Sequence, residues 1–190
     1  MPRAGLDSEA VVSAAAELSD VAGLESVTLA QLAEHLGVRA PSLYAHIDGQ
    51  ADLRRRLGTR GVRELAAALA DAAAGRSRLD ALRAIATSYR GYAREHPGTY
   101  AAIQRPPESG GDAAEAARHL VEIVLASIGG YELADEDAIH AVRIIRASLH
   151  GFVTLERERG FGMPLSIEET FDRLVAVLDR GLAEPAPAPA

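Results

Sequence analysis

The chain has 190 residues, and 48% of them are apolar, which is enough to bury the core of one domain or of a small module joined to a larger one. Cysteine is absent, so disulfide bonds, thiol catalysis and cysteine-ligated metal sites are excluded. Lysine is absent too, because all 20 basic residues are arginines, and this excludes Schiff-base catalysis and a phosphate-binding loop with its lysine.

The net charge of −7 does not by itself point to a nucleic acid as partner. Residues 1–63 carry 7 arginines and 8 acidic residues, whereas the remainder carries 13 arginines and 19 acidic residues. No run approaches the roughly 18 apolar residues of a membrane helix, and the first residues lack the apolar stretch of a signal peptide. We therefore expect a soluble, cytoplasmic protein.

Apolar residues recur with the period of an α-helix along most of the chain, and no run alternates as a strand would. The spacing predicts an all-α fold of about nine helices. Loops are expected at 105–112 and 160–164, and the tail 184–190 has the low complexity of a disordered segment. The expected helices span about 8–22, 28–36, 41–46, 50–74, 79–95, 97–104, 113–128, 135–159 and 166–182.

Local signals mark several helix ends. Asp7 or Ser8 can cap the first helix. Thr28 and Gln31 form a capping box at the start of the second, and Ser166 with Glu169 predicts another at the start of the ninth.

The second and third helices form a candidate helix-turn-helix, because only Gly37-Val-Arg-Ala40 separates them. On the third helix, Leu43 and Ile47 are four residues apart and can anchor a core. This leaves polar and small side chains on the opposite face, where they suit contacts to phosphates and base edges: Ser42, Tyr44, Ala45 and His46. Taken alone, Tyr44 could instead be a half-buried core residue, and His46 a helix C-cap.

The stretch VTLAQLAEHLGVRAPSLYAHI, residues 27–47, closely resembles the N-terminal domain of the TetR family of transcriptional repressors. The resemblance covers about residues 6–60. It implies DNA contacts from a set of residues at the helix-turn-helix and at the start of the fourth helix: Thr28, Arg39, Ala40, Pro41, Ser42, Tyr44, Ala45, His46, Gln50 and Arg54.

The resemblance assigns separate roles to these positions. Thr28 is expected on a phosphate, Tyr44 and His46 on the DNA backbone, and Arg39 at a guanine, which an arginine can bind through two hydrogen bonds. Gln50 stands where the family often has a lysine, so its contact would be neutral or made by the main-chain amide.

The arginines of the fourth helix have two possible roles. Arg54 and Arg55 are nearest to the helix-turn-helix and are the better candidates for contacts to DNA phosphates. The pairs Asp52–Arg56 and Arg60–Glu64 are four residues apart, which favours a solvated, salt-bridged face at least as strongly as DNA contact.

The C-terminal half resembles the helical effector-binding domain of the same family, in its Trp-His-Gly subtype. The similarity lies in YRGYAREHPGTY (89–100) and in LHGFVTL (149–155), where Leu149 replaces the tryptophan. This implies three parts: a DNA-binding domain at 1–50 with the helix 50–74 as connector, an effector-binding and dimerisation domain at 75–183, and the tail.

Two sets of residues follow for this half. An apolar pocket for a small hydrophobic ligand is expected among aromatic and polar side chains, which could equally be ordinary packing: Tyr89, Tyr92, Tyr100, Gln104, His119, His150 and Phe152. A twofold interface is expected on the eighth and ninth helices, whose apolar stripes could also belong to the chain's own core: Ile145, Leu149, Phe171, Leu174 and Leu178.

Together these features predict a homodimeric, ligand-responsive repressor that binds palindromic operator DNA, with no cofactor and no metal. An alternative is a helical small-molecule-binding module without specific DNA regulation. An enzyme is disfavoured, because the chain contains no nucleophile elbow, no HExxH sequence and no glycine-rich phosphate loop, and its six histidines are scattered.

Overall fold

The computed structural model describes residues 6–104 and 111–184, and over these ranges the chain is all-α, as predicted. Positions 105–110 of the predicted loop and 185–190 of the predicted tail lie outside them. Within the described ranges no helix is long and apolar enough to cross a membrane. The nine α-helices there are α1 Ser8–Ala22, α2 Leu29–His35, α3 Ala40–Leu43, α4 Gly49–Ala73, α5 Arg78–Glu95, α6 Pro97–Ile103, α7 Gly111–Ile128, α8 Asp135–Arg157 and α9 Ile167–Ala183.

Helix ends form where the local signals predict them. The Asp7 side chain accepts the Ala10 amide at the start of α1. At α2 the capping box is complete, since Thr28 accepts the Gln31 amide while the Gln31 side chain accepts the Thr28 amide. At α9 only half of the predicted box forms, because the Glu169 side chain pairs with Arg173.

The structure differs from the prediction in three places. α3 ends at Leu43, earlier than predicted, and the chain continues in tight turns in which the amides of His46 and Ile47 both bond to the Leu43 carbonyl. α7 begins at Gly111, inside the predicted loop. Two short 3₁₀ turns, Leu24–Ser26 and Gly129–Tyr131, had no clear signal in the sequence.

The described residues form two compact units. The first comprises those of 1–64 and 95–118, and the second those of 65–94 and 119–190. The first unit therefore contains α1 to α3, the beginning of α4, and also α6, which comes from the C-terminal half of the chain.

In the second unit a buried arginine joins three helices. Arg90 of α5 donates from Nε to Glu156 of α8 (2.9 Å) and from Nη1 to Glu168 of α9 (2.6 Å). Its guanidinium also lies over the rings of Phe152 and Phe171, 5.5 and 4.7 Å from their centroids. The hydrogen bonds to Glu156 and then Glu168 outweigh burial and raise the pKa of Arg90 above its ordinary value.

The residues predicted for the dimer interface are mostly buried in the core of their own chain. Four of those five residues are buried within the single chain, namely Ile145, Leu149, Phe171 and Leu178, and only Leu174 is half-buried. A buried side chain has no surface left to lose in an interface. The exposed apolar residues of α8 and α9 are different ones: Ile139, Ile144, Leu155 and Val177.

Candidate nucleic-acid interface

α3 rests on an apolar base that it shares with α1 and α2. Leu43 and Ile47 are buried, as the four-residue spacing predicts. They belong to one core cluster with Leu32 of α2, Val11 of α1 and Leu53 of α4. The apolar side of this short helix therefore packs against the core, and its other side faces solvent.

Six of the ten predicted DNA-contact residues are exposed. Tyr44 is 60% exposed, which is unusual for a large aromatic residue. The other exposed members of the predicted set are Thr28, Arg39, Pro41, Ser42 and Ala45. They supply hydroxyl, phenol, guanidinium and methyl groups, which together can bind phosphates and read base edges.

Four predicted contact residues are engaged within the unit instead. Ala40 packs against the core cluster, and His46 is only half-exposed. The Gln50 Nε2 donates to the Val27 carbonyl at 2.7 Å. Arg54 donates to Glu25 at 2.9 Å, so its charge is already partly neutralised.

Two contacts that hold α3 in place were not predicted. The Ser8 hydroxyl donates to the His46 carbonyl at 3.0 Å, which ties the start of α1 to the turn that follows α3. Asp52 of α4 accepts the Asp48 amide at 2.9 Å, which fixes the turn between α3 and α4. The sequence signal for Asp52 was its spacing of four residues from Arg56, which does not indicate the bond to the Asp48 amide.

Asp52 is a buried charged residue of this unit. It accepts hydrogen bonds from Arg55 and from Arg56, the latter at 2.8 Å. Burial by itself would raise the pKa of Asp52, but the hydrogen bonds from the Asp48 amide, Arg56 and Arg55 outweigh it and hold the pKa at about 2.

Three arginines of α4 form ion pairs with acidic residues, which is the salt-bridged arrangement that the sequence allowed as an alternative to DNA contact. Arg56 pairs with Asp52 and Arg60 with Glu64, at the predicted spacing of four residues. Arg63 adds a pair with Asp112 at the start of α7. Their guanidinium groups are thus directed to acids of the same unit.

The sequence and fold of this chain are similar to those of known transcriptional regulators. Residues 82–178 match the model of the tetracyclin repressor-like C-terminal domain. The HTH-type transcriptional regulator Rv0681 of Mycobacterium tuberculosis is 39% identical over 80% of this chain and 71% of its own length. The regulator YobS of Bacillus subtilis is 34% identical over 95% of both chains.

The chain belongs to the TetR family. Its relatives are named as transcriptional regulators, so it is a regulator of transcription and not an enzyme. The match to the family model does not distinguish the Trp-His-Gly subtype, which stays a prediction.

Solved structures show the same TetR-like fold. A protein of unknown function from Rhodococcus sp. RHA1 has a TM-score of 0.80 at 21% identity and covers 97% of this chain and 100% of its own. The TetR-family protein ActR of Streptomyces coelicolor, crystallised with (S)-DNPA, has a TM-score of 0.68 at 16% identity, over 95% and 98%. At these identities the likeness concerns the fold alone.

The residues predicted to line the TetR-type effector pocket are divided between the two units. Tyr100, which is buried, and Gln104 lie in the first. The second contains the other five, of which Tyr89, Tyr92 and Phe152 are buried and His150 is half-buried. Burial, and then the charges of Arg146 and Arg157, lower the pKa of His150.

His119 is the surface member of this predicted set. Its Nδ1 lies 3.6 Å from Glu122, and 64% of its side chain is exposed. Phe152, by contrast, has aromatic neighbours in Phe161 and Phe171, each with its ring centroid 5.1 Å away. The described geometry thus groups Phe152 with other rings of the second unit and leaves His119 in solvent.

The depressed pKa of Asp52 predicts a pH-dependent contribution to the stability of this TetR-family head. Asp52→Asn should lower the free energy of unfolding by about 2 kcal/mol at pH 7. The folded pKa lies below the ordinary 3.8, so this contribution is complete above that value and is lost as the pH falls through about 2. Urea denaturation at pH 7, 4 and 2.5 measures the difference between the two proteins.

The matched control for Asp52 is Asp112→Asn, which removes an exposed carboxylate paired with one arginine. It should change stability by less than about 0.5 kcal/mol at any of these pH values. An Asp52→Asn difference that stays constant down to pH 2.5 would contradict the assigned electrostatics.

Proposed function

We propose that this TetR-family regulator is a homodimeric repressor that binds palindromic operator DNA with the exposed side of α3 and is released by a small hydrophobic ligand. The observation that carries the DNA-binding part is the exposure of Tyr44 on a helix whose opposite face is buried. Among the described residues, no hydrogen bond or ion pair engages the side chains of Tyr44, Ser42 or Arg39. A duplex supplies phosphates and base edges for all three.

Arg39 and Ser42 are the proposed specificity residues, because they stand at the N-terminal end of α3, where a recognition helix enters the major groove. Arg39 would bind one guanine through two hydrogen bonds. Thr28, Tyr44 and His46 would bind phosphates, and Ala45 would contact a thymine methyl group. Pro41 and Ala40 would approach the groove closely at the start of the helix.

Gln50 and Arg54 of α4 already have hydrogen-bond partners in the chain, and this changes the DNA contacts proposed for them. Because the Gln50 side chain is tied to Val27, its main-chain amide in the first turn of α4 is the group proposed to meet a phosphate. Arg54 would reach DNA only by exchanging its bond to Glu25 for one to a phosphate. This exchange would reduce the net energy that Arg54 contributes to binding.

We propose a second copy of this chain as the partner of the exposed faces of α8 and α9. Ile144 and Leu155 are 55% and 46% exposed, and they lie on one stripe of α8 with the small residues Ala147 and Gly151. Val177 of α9 is 57% exposed. Apolar and small residues on two neighbouring helices suit the close packing of a twofold four-helix interface.

We propose that the effector binds in the C-terminal domain at 75–183, connected through 50–74 to the DNA-binding domain at 1–50. The support is the presence of an organic ligand in ActR, which shares the fold. In the second unit, Tyr89, Tyr92, Phe152 and His150 offer apolar rings and a few polar atoms, the composition of a small-molecule site. Tyr100 and Gln104 of α6, and His119 at the surface, stay predictions for this role.

The double variant Tyr44→Ala/His46→Ala tests the DNA-binding role. Operator affinity should fall about 100-fold, because each lost hydrogen bond to a charged phosphate is worth about 1.5 kcal/mol or more. Fluorescence anisotropy with a labelled operator duplex at fixed salt measures the loss, and circular dichroism checks that the fold is retained. The control is His140→Ala, an exposed histidine of α8. Unchanged affinity in the double variant would refute the assignment.

The variant Ile144→Glu tests the dimer face. A buried glutamate at a twofold interface meets its own copy, so the protein should elute as a monomer in size-exclusion chromatography with light scattering. The matched control is Ile139→Glu, because Ile139 is also exposed on α8 but lies on nearly the opposite side of the helix. A dimer in both variants would show that this face is not the interface.

A further inference from the structure

The segment His96-Pro-Gly-Thr99 begins α6 and docks on α1, and the proposed function leaves it without a role. The sequence alone marks it only as a helix breaker. In the structure α6 belongs to the first unit, although it stands in the chain between α5 and α7, and 76 or more residues separate it from its contacts on α1.

The first turn of α6 is capped by a residue of another helix. Asp20, near the end of α1, accepts the amides of Gly98 at 2.9 Å and Thr99 at 2.8 Å. Its second oxygen lies 3.3 Å from the Thr99 hydroxyl and 3.1 Å from Nδ1 of His96. Because Pro97 has no amide hydrogen, Asp20 satisfies both amides that the first turn would otherwise leave unpaired. A negative carboxylate is also favoured at the positive end of a helix.

The backbone of α6 lies in direct contact with α1. A Cβ added to Gly98 would lie 2.0 Å from the carbonyl oxygen of Ser19, so glycine is required for this approach. On the α4 side, a Cβ added to Gly61 would lie 2.8 Å from the Thr99 side chain, and one added to Gly58 would lie 3.0 Å from the Ala102 carbonyl. α6 therefore cannot move closer to α1 or α4.

α1 connects this contact to the recognition segment. Asp20 and Ser8 lie at opposite ends of the helix, about 18 Å apart at 1.5 Å per residue. Ser8 bonds to the His46 carbonyl, and the middle of α1 packs through Val11 into the same cluster as Leu43 and Ile47. These contacts link both ends of α1, the Asp20 end to α6 and the Ser8 end to the segment that follows α3.

We propose that Asp20 is a positioning residue that couples α6 to the DNA-binding helix through α1. Its carboxylate holds α6 on α1, and α1 acts as the lever that sets the position of residues 44–47. The effect on operator affinity rests on the proposed function, whereas the mechanical coupling does not, because it can be observed without DNA.

The test is Asp20→Asn in the full chain, which retains the shape of the side chain but loses its charge and one acceptor. Hydrogen exchange followed by NMR should become about tenfold faster at the amides of Gly98 and Thr99, and also faster at those of His46 and Ile47. Affinity for an operator duplex should fall about fivefold or more. The control Asp179→Asn applies the same substitution to a carboxylate that accepts from Tyr131 in the second unit, and it should leave His46, Ile47 and DNA affinity unchanged.

The outcomes separate the coupling from the function. Exchange at His46 and Ile47 equal to that of the unmodified protein would overturn the coupling, and Asp20 would then be a local cap only. Faster exchange at His46 and Ile47, together with a DNA affinity within twofold of that of the unmodified protein, would overturn the claim that Asp20 affects DNA binding. If the unmodified protein binds no duplex specifically, the proposed function fails, and the exchange at His46 and Ile47 alone decides the coupling. Thr99→Val, which removes one hydroxyl and retains both amide bonds, gives the same readout in weaker form should Asp20→Asn not fold.

Discussion

The recognition helix is only four residues long, and such a helix has no stability of its own in water. Its position depends on contacts that other elements make with it. Leu43 and Ile47 pack into the core cluster, the Ser8 hydroxyl bonds to the carbonyl of His46, and Asp52 fixes the turn that follows. These contacts determine where the exposed side chains of Arg39, Ser42 and Tyr44 lie. Any element that moves α1 or α4 therefore moves the surface proposed to read DNA.

The second unit is organised around a different buried charge. Arg90 binds one glutamate from α8 and one from α9 and lies against two phenylalanine rings, so three helices meet at one guanidinium. A buried guanidinium is tolerable only with such partners, and this constrains how α5, α8 and α9 can pack. α5 then leads, through Glu95 and His96, directly into α6, the helix that Asp20 holds on the first unit. The chain thus passes directly from α5 of the second unit into α6, which Asp20 holds on α1 within the first unit.

Features set by neighbours in the sequence could be predicted, and features set by distant residues could not. The capping box of Thr28 and Gln31 and the core spacing of Leu43 and Ile47 depend on residues three or four positions apart, and the structure confirms both. The bond of Ser8 to His46 spans 38 residues and that of Asp20 to Thr99 spans 79, so no local pattern indicates them. The dimer residues illustrate another limit. α8 is apolar on more than one side, and the sequence does not tell which stripe, that of Ile145 or that of Ile144, is buried in its own chain.

The central claim is that the exposed face of α3 reads a specific DNA sequence. Fluorescence anisotropy of the purified protein with duplexes tiled across the region upstream of its own coding sequence tests this most directly, at about 0.15 M salt and with scrambled competitor DNA. We predict tight, competitor-resistant binding to a duplex that contains an inverted repeat. Weak binding that is equal for every duplex and disappears as the salt concentration rises would contradict the claim.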